Sequence, residues 1–193
     1  MDDSKRDFET RASLPRVWQQ AARDYMLAAN YLLDWHDPFR EKTDAAKYTM
    51  ASGGIAPVMV LYATAIENYL KAVRIARGES PAVDGALSRD FKHHNLRSHA
   101  ERAGLSLSAD EADLLGHLAD FMEAGRYPVP AVAGKTPRAW QFTYPNDIER
   151  VWSLAENLET ELHKSGKGMG VTRDLRVRYR PVGYELAAIE EAE

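Results

Sequence analysis

Apolar residues recur at helical spacing along most of the chain, and their pattern predicts about five helices. The first helix is expected over Leu14–Asp37, because Pro38 disfavours the helical conformation in the residue before it. Ser13 is its expected N-cap. Apolar residues spaced three or four apart share one face of this helix, namely Val17, Ala21, Tyr25, Ala28, Leu32 and Trp35.

The second helix is predicted over Pro57–Arg77, and Gly78 follows it as a C-terminal stop. Its apolar stripe is wide, which is typical of a central helix with neighbours on more than one side. The stripe consists of Val58, Tyr62, Ala65, Ile66, Tyr69, Leu70 and Val73.

Two further helices are marked by their ends. A short one is predicted over Leu96–Ala103 and stops at Gly104. Ser108 and Glu111 then match a capping box, in which each residue bonds the backbone N–H of the other. The helix that they open stops at Gly125, and its apolar positions are Leu114, Leu115, Leu118, Phe121 and Met122.

The last helix is expected over Asn146–Lys164. The segments 79–90 and 126–144 read as loops, and a loop as long as the second is often functional. The chain thus predicts an all-α, antiparallel bundle of about five helices over residues 14–164, after a flexible N-terminus of residues 1–13. The apolar face of the last helix is Ile148, Val151, Trp152, Ala155, Leu158 and Leu162.

Residues 165–193 are expected to form a short irregular or strand-like tail. Its first residues, 166–170, contain three glycines and read as a flexible linker. Further on, arginines alternate with apolar residues at a period of two, which fits an edge strand or an ordered arm. Such a strand could bind RNA, or its charges could serve to resist aggregation. The arginines are Arg176, Arg178 and Arg180.

Composition narrows the possible classes of protein. A length of 193 residues fits one domain. The absence of cysteine excludes disulfides, thiolate metal sites and a cysteine nucleophile, and it fits a cytoplasmic location. No apolar run approaches the roughly 20 residues that cross a bilayer, so no membrane partner is expected. The net charge of −4 is not typical of a general nucleic-acid binder.

Several segments, in this order, resemble one known family. They are "ATAIENYLKAVRIARG" at residues 63–78, "HNL" at 94–96, and "GLSLSADEADLLGHLADFMEAGRYP" at 104–128, which ends in an Arg-Tyr-Pro turn. The first predicted helix is similar as well, at Trp18, Ala22, Asp24 and Ala28-Ala29. Together they resemble the HEPN-domain family of helical, nucleotide-binding and ribonuclease-associated proteins over residues 14–162.

The resemblance implies an antiparallel helical bundle that commonly dimerises. Active members of the family are metal-independent ribonucleases that carry Arg-x(4–6)-His at the start of a late helix, and dimerisation brings two such motifs into one cleft. Members without the motif are thought to bind nucleotides or to act as non-catalytic partners.

Metal-free RNA cleavage requires an acid, a base and a cation, which histidine and arginine supply. Arg89 and His94 have the required spacing, but they precede the short helix instead of opening a late one. Arg126 and Arg138 lie nearer the family position and lack a histidine downstream. Arg89 and His94 therefore remain weak catalytic candidates. In the alternative, they form the solvated start of a helix, where His94 bonds a neighbouring helix end.

The same segment does not predict a metal site. His93, His94 and His99 do not have the i, i+4 spacing that places two ligands on one helical face. We therefore expect neither a metal nor a cofactor.

The other candidate ligand-binding residues are Arg126, Tyr127, Lys135, Arg138, Glu67 and Lys71. Arg126 could bind phosphate in a dimer cleft with help from Lys135 or Arg138, or the Arg-Tyr-Pro turn could simply end a helix. Glu67 and Lys71, at i and i+4, are expected to form a structural pair. If Glu67 is buried, it could also orient Arg126 or His94.

The leading hypothesis is a non-catalytic, homodimeric module that binds nucleotide, RNA or an antitoxin-like protein, in a toxin–antitoxin or phage-defence system. One alternative is a metal-independent endoribonuclease. Another is a purely structural helical protein that mediates interactions.

Overall fold

The computed structural model describes residues 2–35, 55–124 and 146–169. Within these ranges it contains seven helices and one two-stranded antiparallel sheet, which confirms the helical class. In chain order, the elements are α1 (Asp3–Ala12), α2 (Pro15–Trp35), α3 (Ile55–Ala76), β1 (Ala82–Val83), β2 (Ala86–Leu87), α4 (Arg89–Lys92), α5 (Leu96–Arg102), α6 (Ala109–Ala124) and α7 (Asn146–Lys164).

Helix α3 is the central element, as its wide apolar stripe predicts. It contacts α2, α5, α6 and α7, and every predicted stripe residue is buried. Gly78 ends the helix in the left-handed region, at φ +101°. The amides of Gly78 and Glu79 bond the carbonyls of Ile75 and Arg74, the two bonds of a Schellman motif.

Two sets of contacts fix the directions of the long helices. Near the start of α2, Gln19 reaches Glu159 of α7, which also accepts a bond from Tyr69 of α3. Near the end of α2, Asn30 accepts a hydrogen bond from Tyr62, which lies earlier in α3. Because the order of contacts reverses, α2 and α3 are antiparallel.

Glu159 is a buried carboxylate, 1% exposed, that is fully provided with partners. Arg23 donates two hydrogen bonds to it, each of 2.7 Å. Gln19 donates one of 2.5 Å and the Tyr69 hydroxyl one of 2.8 Å. A buried charge is tolerated only when it is paired in this way, so this contact fixes α2, α3 and α7 together.

The face of α2 that the sequence predicts as its apolar face is not the buried one. Val17 is 45% exposed, Tyr25 39% and Leu32 36%. The buried side carries shorter or polar residues, and Gln19 and Asn30 reach it because each has a buried hydrogen-bond partner. Helix α2 is thus apolar on two sides, and its core residues are Ala22, Met26, Ala29 and Leu33.

The N-terminal segment, predicted as a flexible N-terminus without a helix, forms α1. The Asp2 side chain caps it by accepting from the Ser4 amide at 3.1 Å. Ser13, predicted as the N-cap of the next helix, is instead the C-cap of α1. The indole of Trp18 donates to the Ala12 carbonyl at 2.7 Å and joins α1 to α2.

The predicted loop at 79–90 contains a small hairpin. Asp84 and Gly85 adopt φ of +54° and +76°, which is the type I′ turn that joins two-residue hairpins. The Gly85 amide donates to Glu9 of α1 at 2.8 Å. This bond docks the hairpin on α1.

The remaining predictions of helix position are confirmed closely. Helix α7 has the predicted bounds, and its predicted apolar face is buried. Ser108 and Glu111 form the capping box: the Glu111 amide donates to Ser108 at 3.1 Å, and the Ser108 amide to Glu111 at 2.8 Å. None of the helices in the described ranges is both long and apolar enough to cross a membrane.

Candidate functional site

The candidate site lies where α3 meets residues 89–99. Glu67, Lys71 and Arg74 lie at i, i+4 and i+7 of α3, and this spacing places them on one face. Their side chains are buried in spite of their charge, at 4%, 6% and 0% exposure. We call these three residues, together with His93, His94 and His99, the histidine cluster.

Arg74 is the most buried of the three charges, and all three of its guanidinium nitrogens are bonded. Nε and Nη2 bond the carboxylate of Glu79 at 2.5–3.2 Å. Nη1 donates to the Asp90 carbonyl at 3.0 Å and to Nδ1 of His99 at 2.6 Å. The guanidinium carbon lies 3.9 Å from the ring centroid of Phe91. Arg74 therefore joins α3 to α4 and α5.

The hydrogen bonds of His99 fix its tautomer. Arginine can only donate, so Nδ1 of His99 carries a lone pair. Nε2, 2.9 Å from the His93 carbonyl oxygen, must then carry the proton. Burial lowers the pKa of His99 to about 4, and the charges of Lys71 and Arg74 act in the same direction. His99 is therefore neutral near neutral pH.

His93 stacks on His99, with 4.3 Å between ring centroids and 23° between planes. Burial, and then the positive charge of Arg74, lower its pKa as well. Neither ring is suited to supply a proton near neutral pH, so these two histidines serve the packing of α4 against α5.

Glu67 holds the remaining histidine. One of its oxygens accepts from Lys71, and the other lies 2.8 Å from Nδ1 of His94. A carboxylate at Nδ1 favours the proton on that nitrogen and the lone pair on Nε2, the form of a histidine that acts as a base. The His94 side chain is 40% exposed. The contact that would let a buried Glu67 orient His94 is therefore present.

The structure does not join Arg89 to His94. Arg89 is the exposed first residue of α4. It makes no hydrogen bond or ion pair with any other described residue. The partner of His94 is Glu67, not the neighbouring helix end that the sequence analysis considered. Four further candidates, Arg126, Tyr127, Lys135 and Arg138, lie outside the described residues.

Sequence reasoning missed the residues that hold the cluster together, above all Arg74, Glu79 and His99. One signal was available, because Arg74 shares a face with Glu67 and Lys71 on the most apolar helix. Charges on a central helix have to find buried partners. The sequence does not say which distant residues those partners are.

A cavity of about 410 Å³ lies apart from the cluster, between the α5–α6 connection and α7. Leucines form its apolar lining, and Arg77 and Lys164 stand at its rim. Both cations already bind the carboxylate of Glu161, at 3.1 and 2.9 Å. Glu111 also lines the cavity, so its two positive charges are matched by two negative ones.

The described ranges contain no group of three or more histidine, aspartate or glutamate side chains arranged to hold a metal ion. Comparison with protein-family models, with curated proteins and with solved structures gives no significant match.

Proposed function

We propose that the chain is a HEPN-like, homodimeric module that binds RNA or nucleotide phosphate without cleaving it. The observation that carries this proposal is the pairing of Arg74 with His99. The residue types that metal-free RNA cleavage requires are present, but these two are used inside the fold. Arg74 is fully buried and bonded, and His99 has both ring nitrogens engaged.

The HEPN assignment rests on the resemblance of the sequence, and the local structure agrees with it. The His-Asn-Leu step precedes α5: Asn95 caps this helix by accepting from the Ser98 amide at 3.0 Å, and Leu96 is buried. The residues of this step therefore have definite structural tasks. A family landmark would be expected to have such tasks.

The exposed surface of α4 and the following turn suits an anionic ligand. Arg89, Lys92 and His94 lie exposed within six consecutive residues. The acidic residue among them, Asp90, is paired with Arg102 at 2.8 Å. A phosphate can therefore approach Arg89 and Lys92 without first displacing a carboxylate of this segment.

Binding of labelled single-stranded RNA, measured by fluorescence anisotropy in EDTA, tests the proposal. Replacing both Arg89 and Lys92 by Gln should weaken binding roughly tenfold and lower the salt slope by about two, one for each lost phosphate contact. A matched control replaces Arg6 and Arg16, which are also exposed, and should change affinity less than about twofold. Equal losses in both variants, or no binding by the unaltered chain, would count against the proposal.

The contact between Glu67 and His94 favours a second candidate, a metal-independent endoribonuclease. In this alternative, Nε2 of His94 takes the proton of the 2′-hydroxyl, and Arg89 or a cation of a second copy stabilises the developing charge. Incubating RNA with the chain in EDTA separates the two candidates. Cleavage that is lost in His94→Ala supports the enzyme, whereas intact RNA supports the binding module.

We place the module in the cytoplasm, within a toxin–antitoxin or phage-defence system, because the chain lacks cysteine and resembles HEPN proteins. A gene for a small nucleotidyltransferase next to this one would support a toxin–antitoxin pair. A purely structural role would be favoured if the chain bound neither RNA nor nucleotide.

A further inference from the structure

Exposed apolar side chains are concentrated on one helix. Of the seven large hydrophobic residues that are exposed within the described ranges, five belong to α2, and Tyr31, at 70%, is the most exposed. Small residues, Ala21 and Ala28, lie between them on the same side. We call this surface the outer stripe; it consists of Val17, Ala21, Tyr25, Leu27, Ala28, Tyr31 and Leu32.

The outer stripe is not needed to hold α2 in the bundle. The opposite side of the helix already provides the buried residues Ala22, Met26, Ala29 and Leu33. The five large side chains of the stripe expose roughly 450 Å² together, which is within the size of patches that mark interaction sites. Helix α2 therefore offers an apolar surface to a partner.

We propose that this partner is a second copy of the chain and that the two α2 helices pack antiparallel along their outer stripes. The inference deepens the homodimer of the proposed function, on which it rests. Two stripes contribute roughly 900 Å² from their large side chains, and the alanines and polar border bring the total close to the 1,200 Å² of the smaller specific interfaces.

Charge and side-chain volume select the antiparallel direction. In a parallel pair, Asp24 would face Asp24 of the other copy and Tyr31 would face Tyr31, with a gap where alanine faces alanine. In an antiparallel pair with its two-fold axis at the level of Met26, Tyr31 of each copy lies opposite Ala21 of the other. Asp24 then lies opposite Ala28, so the like charges are separated and a large residue meets a small one.

The mass of the full chain in solution, measured by light scattering after gel filtration, tests the surface. The unaltered chain should elute with the mass of two copies. A variant with Tyr31→Glu and Leu32→Glu should elute with the mass of one. The control carries Phe8→Glu and Val83→Glu, which are exposed apolar residues off the stripe, at 39% and 61%, and it should stay dimeric.

The outcomes separate this inference from the function on which it rests. A chain that is monomeric without substitutions overturns both the interface and the homodimer. A Tyr31→Glu/Leu32→Glu variant that stays dimeric overturns the interface alone. RNA binding by the Arg89 and Lys92 surface is measured independently, so its loss bears on the proposed function and leaves the interface standing.

Introduced cysteines test the direction of packing, since the chain contains none of its own. Chains with Ala21→Cys and chains with Tyr31→Cys should form a disulfide with each other when mixed and oxidised, because these positions face each other. Each alone should cross-link little, since its two copies lie about 15 Å apart along the helix, at 1.5 Å per residue. Efficient cross-linking of Ala21→Cys to itself would overturn the antiparallel arrangement.

Discussion

Arg74 donates a hydrogen bond of 2.6 Å to Nδ1 of His99, and both side chains are completely buried. His99 can therefore accept a proton only if this bond is broken and a second positive charge enters the space beside the guanidinium. The pair holds α3 to α5 as long as the imidazole is neutral.

Stability is predicted to fall in mild acid. The pKa of His99 is about 4 in the folded chain and near 6.5 when unfolded, so between these values the unfolded state binds more protons. The free energy of unfolding thus rises with pH across this window and is lost as pH falls. From about pH 7 to about pH 5 the loss is about 2 kcal/mol from this residue. Urea unfolding at the two pH values measures it.

His99→Gln is the control for this pH dependence, because it removes the titrating group. The variant should be less stable at both pH values, and its loss between them should be smaller. Glu79, Glu111 and Glu161 have lowered pKa values, so their contributions are lost mainly below about pH 4.3, outside the window. An unchanged pH dependence in His99→Gln would contradict the assignment.

Arg74→Met is predicted to destabilise the chain by about 3–5 kcal/mol, because it leaves buried acceptors without their donor. Those acceptors are the Asp90 carbonyl and Nδ1 of His99. Guanidinium chloride unfolding gives the value. Arg89→Met, at an exposed position, should lie within about 0.5 kcal/mol of the unaltered chain. Similar effects of the two variants would show that Arg74 is not a structural centre.

Glu67→Gln is expected to cost more stability than Lys71→Met. Loss of the carboxylate leaves the buried Lys71 ammonium without its counter-ion and removes the acceptor of His94, whereas Lys71→Met leaves His94 to pair with Glu67. We expect about 3 kcal/mol or more for Glu67→Gln. The double variant should cost less than the sum of the two. Additive effects in urea unfolding would show that Glu67 and Lys71 act independently.

Asn95→Ala is predicted to cost about 1 kcal/mol, the usual value for loss of an N-cap. The Asn95 side chain accepts from the Ser98 amide, which has no partner within the first turn of α5. Thermal unfolding monitored by circular dichroism gives the change. Ser106→Ala, at an exposed position before α6, is a suitable control and should leave the transition within the error of measurement.

Much of the fold can be predicted from the sequence because its signals are local. The bounds of α7 follow from helical spacing and from the proline and glycines on either side. The capping box at Ser108 and Glu111 is visible in four consecutive residues, and Gly78 stops α3 because it can adopt positive φ. Each of these features depends on residues within one or two helical turns.

The predictions that failed depend on contacts between distant residues or on a signal that was overlooked. Helix α2 has two apolar sides, and which side is buried is decided by partners elsewhere, such as Glu159 for Gln19. Spacing alone favoured the wrong side. The Asp84-Gly85 turn, in contrast, is a local hairpin signal that the sequence analysis did not use.

The candidate site was predictable only in part. Glu67, Lys71 and His94 stand out as charged or titratable residues near a family landmark. The pairing of Arg74 with Glu79 and His99 follows from how α3 meets α4 and α5, and no pattern within a single helix indicates it. The sequence therefore indicates where a site could lie, and the packing determines which of its residues are already used.

The contacts of Glu159 have a consequence for how the chain folds. Gln19 and Arg23 reach this residue across 140 and 136 positions of the sequence. During synthesis, α2 and α3 therefore emerge long before the carboxylate that joins them to α7. Because contacts over such separations are slow to form, the closing step of folding waits for the C-terminal third of the chain, and until then the polar groups of Gln19 and Tyr69 depend on water.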